Sequence, residues 1–146
     1  MKLNKITVRM VKESSVEYNT RTIQCPLDIV KLINTTEELN TFTSENILVI
    51  CLNSKNKPVN YQYVAKGGAT YCELDIKEVF KPILLSNANK FILVHNHPSG
   101  DSTPSKNDLE ITVRLKESAK LLDIKLLDHI IIGDNNYTSC IEILEN

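Results

Sequence analysis

The sequence has little of the positive charge that marks a nucleic-acid-binding protein. Its 146 residues include 17 Lys and Arg against 18 Asp and Glu, for a formal net charge of −1, and no basic stripe runs through it. Clustered positive charge supplies most of the affinity for a phosphate backbone, so the composition gives no support for non-specific DNA binding. The length is that of one domain, and the hydrophobic share of 42% is ordinary for a soluble globular protein.

Closely spaced cysteines and long apolar runs are also missing. No two of the four cysteines are close enough for the Cys-x-x-Cys pair that zinc deaminases require. No apolar run approaches the roughly 20 residues of a membrane span, and polar residues follow Met1–Ile6 where a signal peptide would be apolar. We therefore expect a cytosolic protein with free thiols and no membrane association.

The stretch over residues 91–112 carries the chemistry. It begins with an apolar run typical of a buried strand and continues into His95 and His97. Side chains alternate along a strand, so these two imidazoles leave on the same face. A loop with two prolines then leads into a helix that Ser105 and Asp108 open. Two imidazoles and one carboxylate would leave a zinc coordination position open to water, as in a hydrolytic site.

Each of these residues also has a purely structural interpretation. Ser105-x-x-Asp108 is a helix N-terminus signal, so Asp108 could simply favour the helix dipole. His95 and His97 could be polar residues at a strand end. The combination of strand, turn and helix favours the metal site, because it delivers three ligand-type residues to one point.

The same stretch resembles the JAMM motif of the JAB/MPN metalloprotease superfamily, and in particular the RadC family. The matching string is His95-x-His97-Pro98-x-Gly100-x-x-x-Pro104-Ser105-x-x-Asp108, with Leu-Asp-His-Ile-Ile-Ile-Gly-Asp at 127–134. The resemblance covers about residues 37–144. It implies an α/β, MPN/JAB-like (cytidine-deaminase-like) fold: a mixed, mostly antiparallel sheet with helices packed on it.

The resemblance also implies a function, hydrolysis of an amide or isopeptide bond in a protein or peptide. One zinc ion per chain would be held by His95, His97 and Asp108, and the Ser105 hydroxyl would stabilise the oxyanion. A glutamate outside the metal sphere would be the general base. Glu45, just ahead of the first core strand, fits that place, with Glu73 and Glu78 as rivals.

Two other functions compete with the hydrolase. One is a DNA repair or recombination factor with a nucleolytic or vestigial site, and the other is a binding module that keeps zinc for structure. RadC proteins usually carry a longer N-terminal region with a helix-hairpin-helix-like segment, whereas this chain has a short lead-in. The tripeptide His95-Asn96-His97 is not an HNH nuclease motif, whose residues lie on separate elements. The intact set of candidate ligands, serine and glutamate favours the hydrolase.

The remaining pattern predicts the arrangement of elements. Residues 1–36 form a lead-in with a strand over 3–11 and a helix from Pro26, and residues 37–146 form the JAB/MPN domain. In that domain we expect a short helix at 37–42, a hairpin of 47–52 with 58–66, helices at about 75–86 and 105–122, and strands at 124–132 and 137–144. We interpret His129 as structural rather than as a ligand, and expect Thr112 to orient the carboxylate of Asp108.

Overall fold

The structure is a computed structural model that describes residues 1–19, 22–67 and 74–146. Four helices and a five-stranded sheet occur in these ranges, together with a 3-10 turn at Leu39–Thr41. The helices are α1 (Pro26–Thr36), α2 (Ile76–Leu85), α3 (Lys106–Leu121) and α4 (Cys140–Glu145). The strands are β1 (Asn46–Leu52), β2 (Pro58–Lys66), β3 (Lys90–Asn96), β4 (Lys125–Ile132) and β5 (Tyr137–Ser139).

The sheet has the strand order β2-β1-β3-β4-β5. Only the neighbours β3 and β4 are parallel, and α3 connects them; the other neighbouring pairs are antiparallel. The prediction of a mixed, mostly antiparallel sheet with helices is confirmed. Strand β3 is flanked by β1 and β4, so His95 near its end lies in the interior of the fold rather than at a sheet edge.

Apolar side chains cover both faces of the sheet. On one face, alternate residues of β1 and β3 pack against α2 and α3 in a core that includes Val49, Phe80, Phe91, Leu93 and Leu115. On the other face, α1 packs against the alternate set, which includes Leu48, Ile50, Ile92 and Ile130. His95 has the parity of Phe91 and Leu93, so it points towards α3. Helix α1 shares this second core with the sheet. The predicted division of the chain into a lead-in over residues 1–36 and a domain over residues 37–146 stays a prediction.

The strand predicted over residues 3–11 is wrong. These residues have no regular secondary structure and are exposed, with Ile6 at 78% and Val8 at 66% of full exposure. A strand needs a partner for its backbone N–H and C=O groups, and partial alternation of apolar residues does not supply one. The helical spacing of the residues after Pro26 predicts an apolar stripe of Leu27, Val30 and Ile33, widened by Ile29 and Leu32. The stripe of α1 differs, because Leu27 is exposed and the buried residues are Ile29, Leu32 and Ile33.

The predicted strand over 137–144 is correct only at its beginning. Strand β5 ends at Ser139, and α4 begins at Cys140. The Ser139 hydroxyl accepts a hydrogen bond from the Glu142 backbone N–H at 3.1 Å, which caps the helix. Its hydroxyl hydrogen is donated to Asp128 at 2.8 Å. Ser139-x-x-Glu142 is a capping pattern that outweighs the alternation of the following residues.

The alternation in residues 58–66 predicts that Val59, Tyr61, Tyr63 and Ala65 share one face, and Pro82 predicts a bend or break in the helix at about 75–86. A register irregularity opposite Ile47 and Leu48 puts Ala65 on the α2 side of the sheet, whereas Tyr61 and Tyr63 face the α1 side. The four residues from Val59 to Ala65 therefore do not share one face. Pro82 lies inside α2, which continues to Leu85. Three described cysteines, Cys25, Cys51 and Cys140, are free, as expected. In the described ranges no helix is long and apolar enough to cross a membrane.

Two tyrosines of β2 attach that strand to the end of α1. The hydroxyls of Tyr61 and Tyr63 donate to the two carboxylate oxygens of Glu37, the second at 2.7 Å. Burial, with the hydrogen bond and the repulsion of Glu37, raises the pKa of Tyr61 to about 12 and also raises that of Tyr63.

We expect this attachment to weaken at alkaline pH. The unfolded chain releases its tyrosine protons at about pH 10, whereas the folded protein keeps them, so the stability is complete below about pH 10 and is lost as the pH rises through about 12. The urea midpoint of unfolding should fall between about pH 9 and about pH 11, and it should fall less in Glu37→Gln than in the wild type. Equal differences in the two proteins would contradict this assignment.

Candidate metal centre

His95 on β3, His97 directly after that strand and the first turn of α3 meet at one point. The Nε2 atoms of His95 and His97 are 3.0 Å apart. One Asp108 oxygen, Oδ1, lies 3.5 Å from His95 Nε2, and the other, Oδ2, lies 3.6 Å from His97 Nε2. All of the potential ligand atoms lie within 4.8 Å of one another. The structure thus brings together the three residues that the sequence singled out.

The hydrogen bond on the far side of the His97 ring defines its tautomer. His97 Nδ1 is 2.7 Å from the backbone carbonyl of Asp101, which can only accept. Nδ1 therefore carries the hydrogen, and the neutral ring presents a lone pair at Nε2. Two imidazole nitrogens and a carboxylate that converge in this way form a donor set suited to a cation such as zinc.

Asp108 caps the helix and also faces the histidines. The Ser105 hydroxyl accepts from the Asp108 backbone N–H at 3.2 Å, and Asp108 Oδ2 accepts from the Ser105 backbone N–H at 2.7 Å. This is the capping box that the sequence allowed. The Ser105 hydroxyl also donates to Oδ2, at 2.6 Å, and leaves Oδ1 directed at His95. Capping and metal binding are therefore compatible, because they use different oxygens.

The electrostatics of the three groups are those of a site built for positive charge. Burial works to raise the pKa of Asp108, but the nearby rings of His97 and His95 and the hydrogen bonds with Ser105 hold that pKa below the ordinary value. The nearby carboxylate of Asp108 raises the pKa of His97. Burial lowers the pKa of His95, so this ring stays neutral. A neutral imidazole and an ionised carboxylate are the forms that bind a metal.

A family model described as a RadC-like JAB domain matches residues 23–144. The chain belongs to this family. The match begins ahead of α1 and so extends beyond the stretch at 37–144 that carried the resemblance in sequence.

Curated relatives agree with this membership. A UPF0758 protein of Staphylococcus haemolyticus is 42% identical over 120 residues, which are 82% of this chain and 52% of that protein. One from Clostridium perfringens is 42% identical over 117 residues, covering 80% of this chain and 51% of that protein. One from Staphylococcus aureus is 45% identical over 127 residues, covering 86% and 54%. The chain spans about half the length of the curated relatives it matches.

Of the three candidate bases in this JAB domain, Glu45 lies near the metal ligands. It is half-buried, and burial together with repulsion from Asp108 raises the pKa of its carboxyl, while attraction to His97 works the other way. Glu78 lies on α2 in an ion pair with Lys81. Glu73 lies outside the described residues. The role of Glu45 as general base stays a prediction, and its position near Asp108 and His97 agrees with that role.

Asn96, which stands between the two histidines, was missed by the sequence reasoning. Its side-chain oxygen accepts from the Asn46 backbone N–H at 2.8 Å, and its amide donates to the Ser44 carbonyl at 3.0 Å. These bonds attach the segment that carries Glu45 to the end of β3. An asparagine flanked by two metal-ligand candidates is the local signal, but its partners 50 and 52 residues away cannot be read from the sequence.

The loop after His97 rests on the turn between β4 and β5. The Gly100 carbonyl accepts from the Asp134 backbone N–H at 2.8 Å. Gly133 lies so close to this loop that a Cβ atom on it would overlap Gly100 O and Asn136 Oδ1 and would lie 2.9 Å from Ser102 N. The close approach requires glycine at this position, and it holds the loop whose Asp101 carbonyl orients His97.

Gly133→Ala is therefore expected to displace this loop. Overpacking of a tight contact costs about 1–3 kcal/mol, and we expect the free energy of unfolding to fall by that amount. Because His97 would lose its fixed orientation, zinc affinity should also fall. Urea unfolding and titration with a competing zinc chelator measure the two effects. A stable variant with wild-type zinc affinity would show that the contact does not support the site.

Proposed function

We propose that this RadC-like JAB domain is a zinc-dependent hydrolase of amide or isopeptide bonds in a protein or peptide substrate, with one zinc ion per chain. The observation that carries the proposal is the convergence of His95 Nε2, His97 Nε2 and the Asp108 carboxylate beside the half-buried Glu45. A closed structural zinc site uses four protein ligands, whereas three leave a position for water. The family membership supports the same class of chemistry.

His95, His97 and Asp108 would hold the zinc ion. When bound, zinc would supply Lewis-acid polarisation of the scissile carbonyl and would make water acidic enough to attack it near neutral pH. The ligands come from the end of β3 and the start of α3, whose positions are fixed by the buried core on that face. Their placement therefore costs little reorganisation when a metal binds.

Glu45 would accept the proton of the attacking water and deliver it to the leaving amine. A carboxylate suits this role when its proton affinity is higher than that of an exposed acid. Burial and the repulsion of Asp108 act in that direction, because they raise the pKa of Glu45. The backbone of Glu45 is fixed, since its carbonyl accepts from the Gly67 N–H at 2.7 Å and its neighbour Asn46 is bound by Asn96.

Ser105 would donate its hydroxyl to the oxyanion that develops on the substrate. In the structure this hydroxyl donates to Asp108 Oδ2. The Ser105 backbone N–H donates to the same oxygen, so Asp108 keeps a hydrogen bond when the hydroxyl turns to substrate. A preorganised donor of this kind is typically worth a factor of about 10²–10³ in rate.

Metal analysis and activity assays of the purified protein test the proposal. We expect about one zinc per chain, and cleavage of isopeptide-linked or peptide substrates that a chelator abolishes and zinc restores. His97→Ala should lose both zinc and cleavage. The same preparations, offered single- and double-stranded DNA, test the competing function. Zinc-loaded protein that cleaves DNA but none of the peptide bonds would overturn the proposal.

A further inference from the structure

A continuous row of buried side chains lies behind the candidate metal centre. His95 Nδ1 is 2.8 Å from His129 Nε2, and His129 Nδ1 is 2.6 Å from the Thr112 hydroxyl. That hydroxyl is 2.5 Å from the backbone carbonyl of Asp108. His95 and His129 are each 1% exposed and Thr112 is fully buried, so water does not compete for these bonds. The row starts at one candidate ligand on β3 and ends on the backbone of another on α3.

The acceptor at the end of the row determines the direction of every bond. A backbone carbonyl can only accept, so the Thr112 hydroxyl donates its single hydrogen to Asp108. The Thr112 oxygen must then accept from His129 Nδ1–H. A neutral His129 has no second N–H, so its Nε2 accepts from His95 Nδ1–H. The remaining nitrogen of His95, Nε2, is left with its lone pair directed at His97 and Asp108.

The neutral state of His129 follows from its surroundings. Its two ring nitrogens contact another imidazole and a hydroxyl, neither of which carries a negative charge. Burial disfavours the charged form of a histidine when no anion is bound to it. The neutral His129 ring therefore donates one hydrogen bond, from Nδ1, and accepts one, at Nε2.

We infer that His129 and Thr112 are positioning residues that fix His95 as its Nδ1–H tautomer and so present its Nε2 lone pair to the metal. The inference rests on the zinc site of the proposed function but concerns two residues outside the ligand set. Metal-bound histidines commonly donate their second N–H to a carboxylate, a carbonyl or water, which fixes ring orientation and raises basicity. Here a second imidazole takes that place, and Thr112 links it to the helix turn that carries Asp108.

The tautomer can be read in the metal-free protein. Long-range ¹⁵N–¹H correlation spectra distinguish a histidine protonated at Nδ1 from one protonated at Nε2. We expect His95 in the wild type to be protonated at Nδ1. In His129→Leu, which has no acceptor, and in Thr112→Val, which removes the acceptor for His129, that preference should be lost. His95 protonated at Nε2 in the wild type would overturn the inference.

Zinc affinity, measured by competition with a chromophoric chelator, is the second readout. Loss of an outer partner of a metal-bound histidine typically costs about 10–100-fold in affinity, and we expect His129→Leu and Thr112→Val to fall in that range. His129→Gln should retain more affinity, because its side-chain carbonyl can accept from His95 Nδ1–H. The matched control is Thr36→Val: Thr36 makes the same bond to the carbonyl four residues earlier, Leu32, but on α1. It should bind zinc as the wild type does.

The outcomes separate this inference from the proposed function. A folded Thr112→Val protein with wild-type zinc affinity would overturn the positioning role, and this variant decides the question if His129→Leu does not fold. If the wild type binds no zinc, the proposed function fails. The His95 tautomer spectra then still decide whether the row of hydrogen bonds fixes the protonation of this ring. Equal losses of affinity in Thr36→Val and Thr112→Val would also contradict the inference.

Discussion

Glu45→Gln is expected to reduce hydrolysis by at least about 100-fold while zinc content and fold are retained. General acid–base catalysis contributes typically about 10²–10⁴-fold, and an amide cannot accept the proton of the attacking water. The substitution preserves the shape of the side chain and leaves the Asp108 and His97 atoms in place. Because the neighbouring negative charge is removed, the repulsion that Asp108 experiences from Glu45 should also be relieved.

The measurements are the zinc content, the thermal unfolding midpoint and kcat on the substrate that the wild type cleaves. Glu78→Gln is the matched control, because Glu78 lies on α2 in an exposed ion pair with Lys81. Loss of an exposed ion pair has little effect on a protein, so this variant should keep a kcat close to that of the wild type. Glu73→Gln offers a second comparison. If Glu73→Gln or Glu78→Gln abolishes turnover and Glu45→Gln does not, the base is misassigned while the metal site stands.

The ligand set was accessible from sequence because its geometry is local. His95 and His97 share a face through the two-residue period of a strand, and Ser105 and Asp108 meet in the first turn of one helix. The connection between these two units is a short loop that contains Pro98 and Pro104. Only the tertiary packing of α3 on the sheet was needed to bring them together, and Ile111 and Leu115 of α3 lie in that shared core.

The supporting contacts were not accessible because their partners are far apart in the chain. His129 reaches His95 across 34 residues, and Asn96 reaches Asn46 across 50. No periodicity specifies such pairs; they follow from the order of strands, which places β1 and β4 on either side of β3. Gly133 is a similar case, since its constraint is the approach of another loop rather than its own turn. The position of His129 behind His95 also explains how a buried histidine can serve the site without being a ligand.

Asp108→Asn separates the two roles that the structure gives to one side chain. An asparagine oxygen can still accept from the Ser105 backbone N–H and hydroxyl, so the helix cap is largely kept and the free energy of unfolding of the metal-free protein should fall by at most about 1 kcal/mol. The negative charge is lost, however, and a neutral amide is a poorer zinc ligand than a carboxylate. Zinc affinity should therefore fall by more than the roughly 10–100-fold that loss of an outer partner costs.

A second consequence can be observed without metal. The nearby carboxylate of Asp108 is the largest cause that raises the pKa of His97, so this pKa should move down in Asp108→Asn, and the shift can be followed by NMR titration of the ring. Asp134→Asn removes the same charge from an exposed acid of the neighbouring turn and should change neither zinc affinity nor the His97 titration. Unchanged zinc affinity in Asp108→Asn, with the His97 pKa lowered as expected, would mean that the carboxylate serves the histidine and the helix but not a metal. The centre would then have only two ligands on this chain.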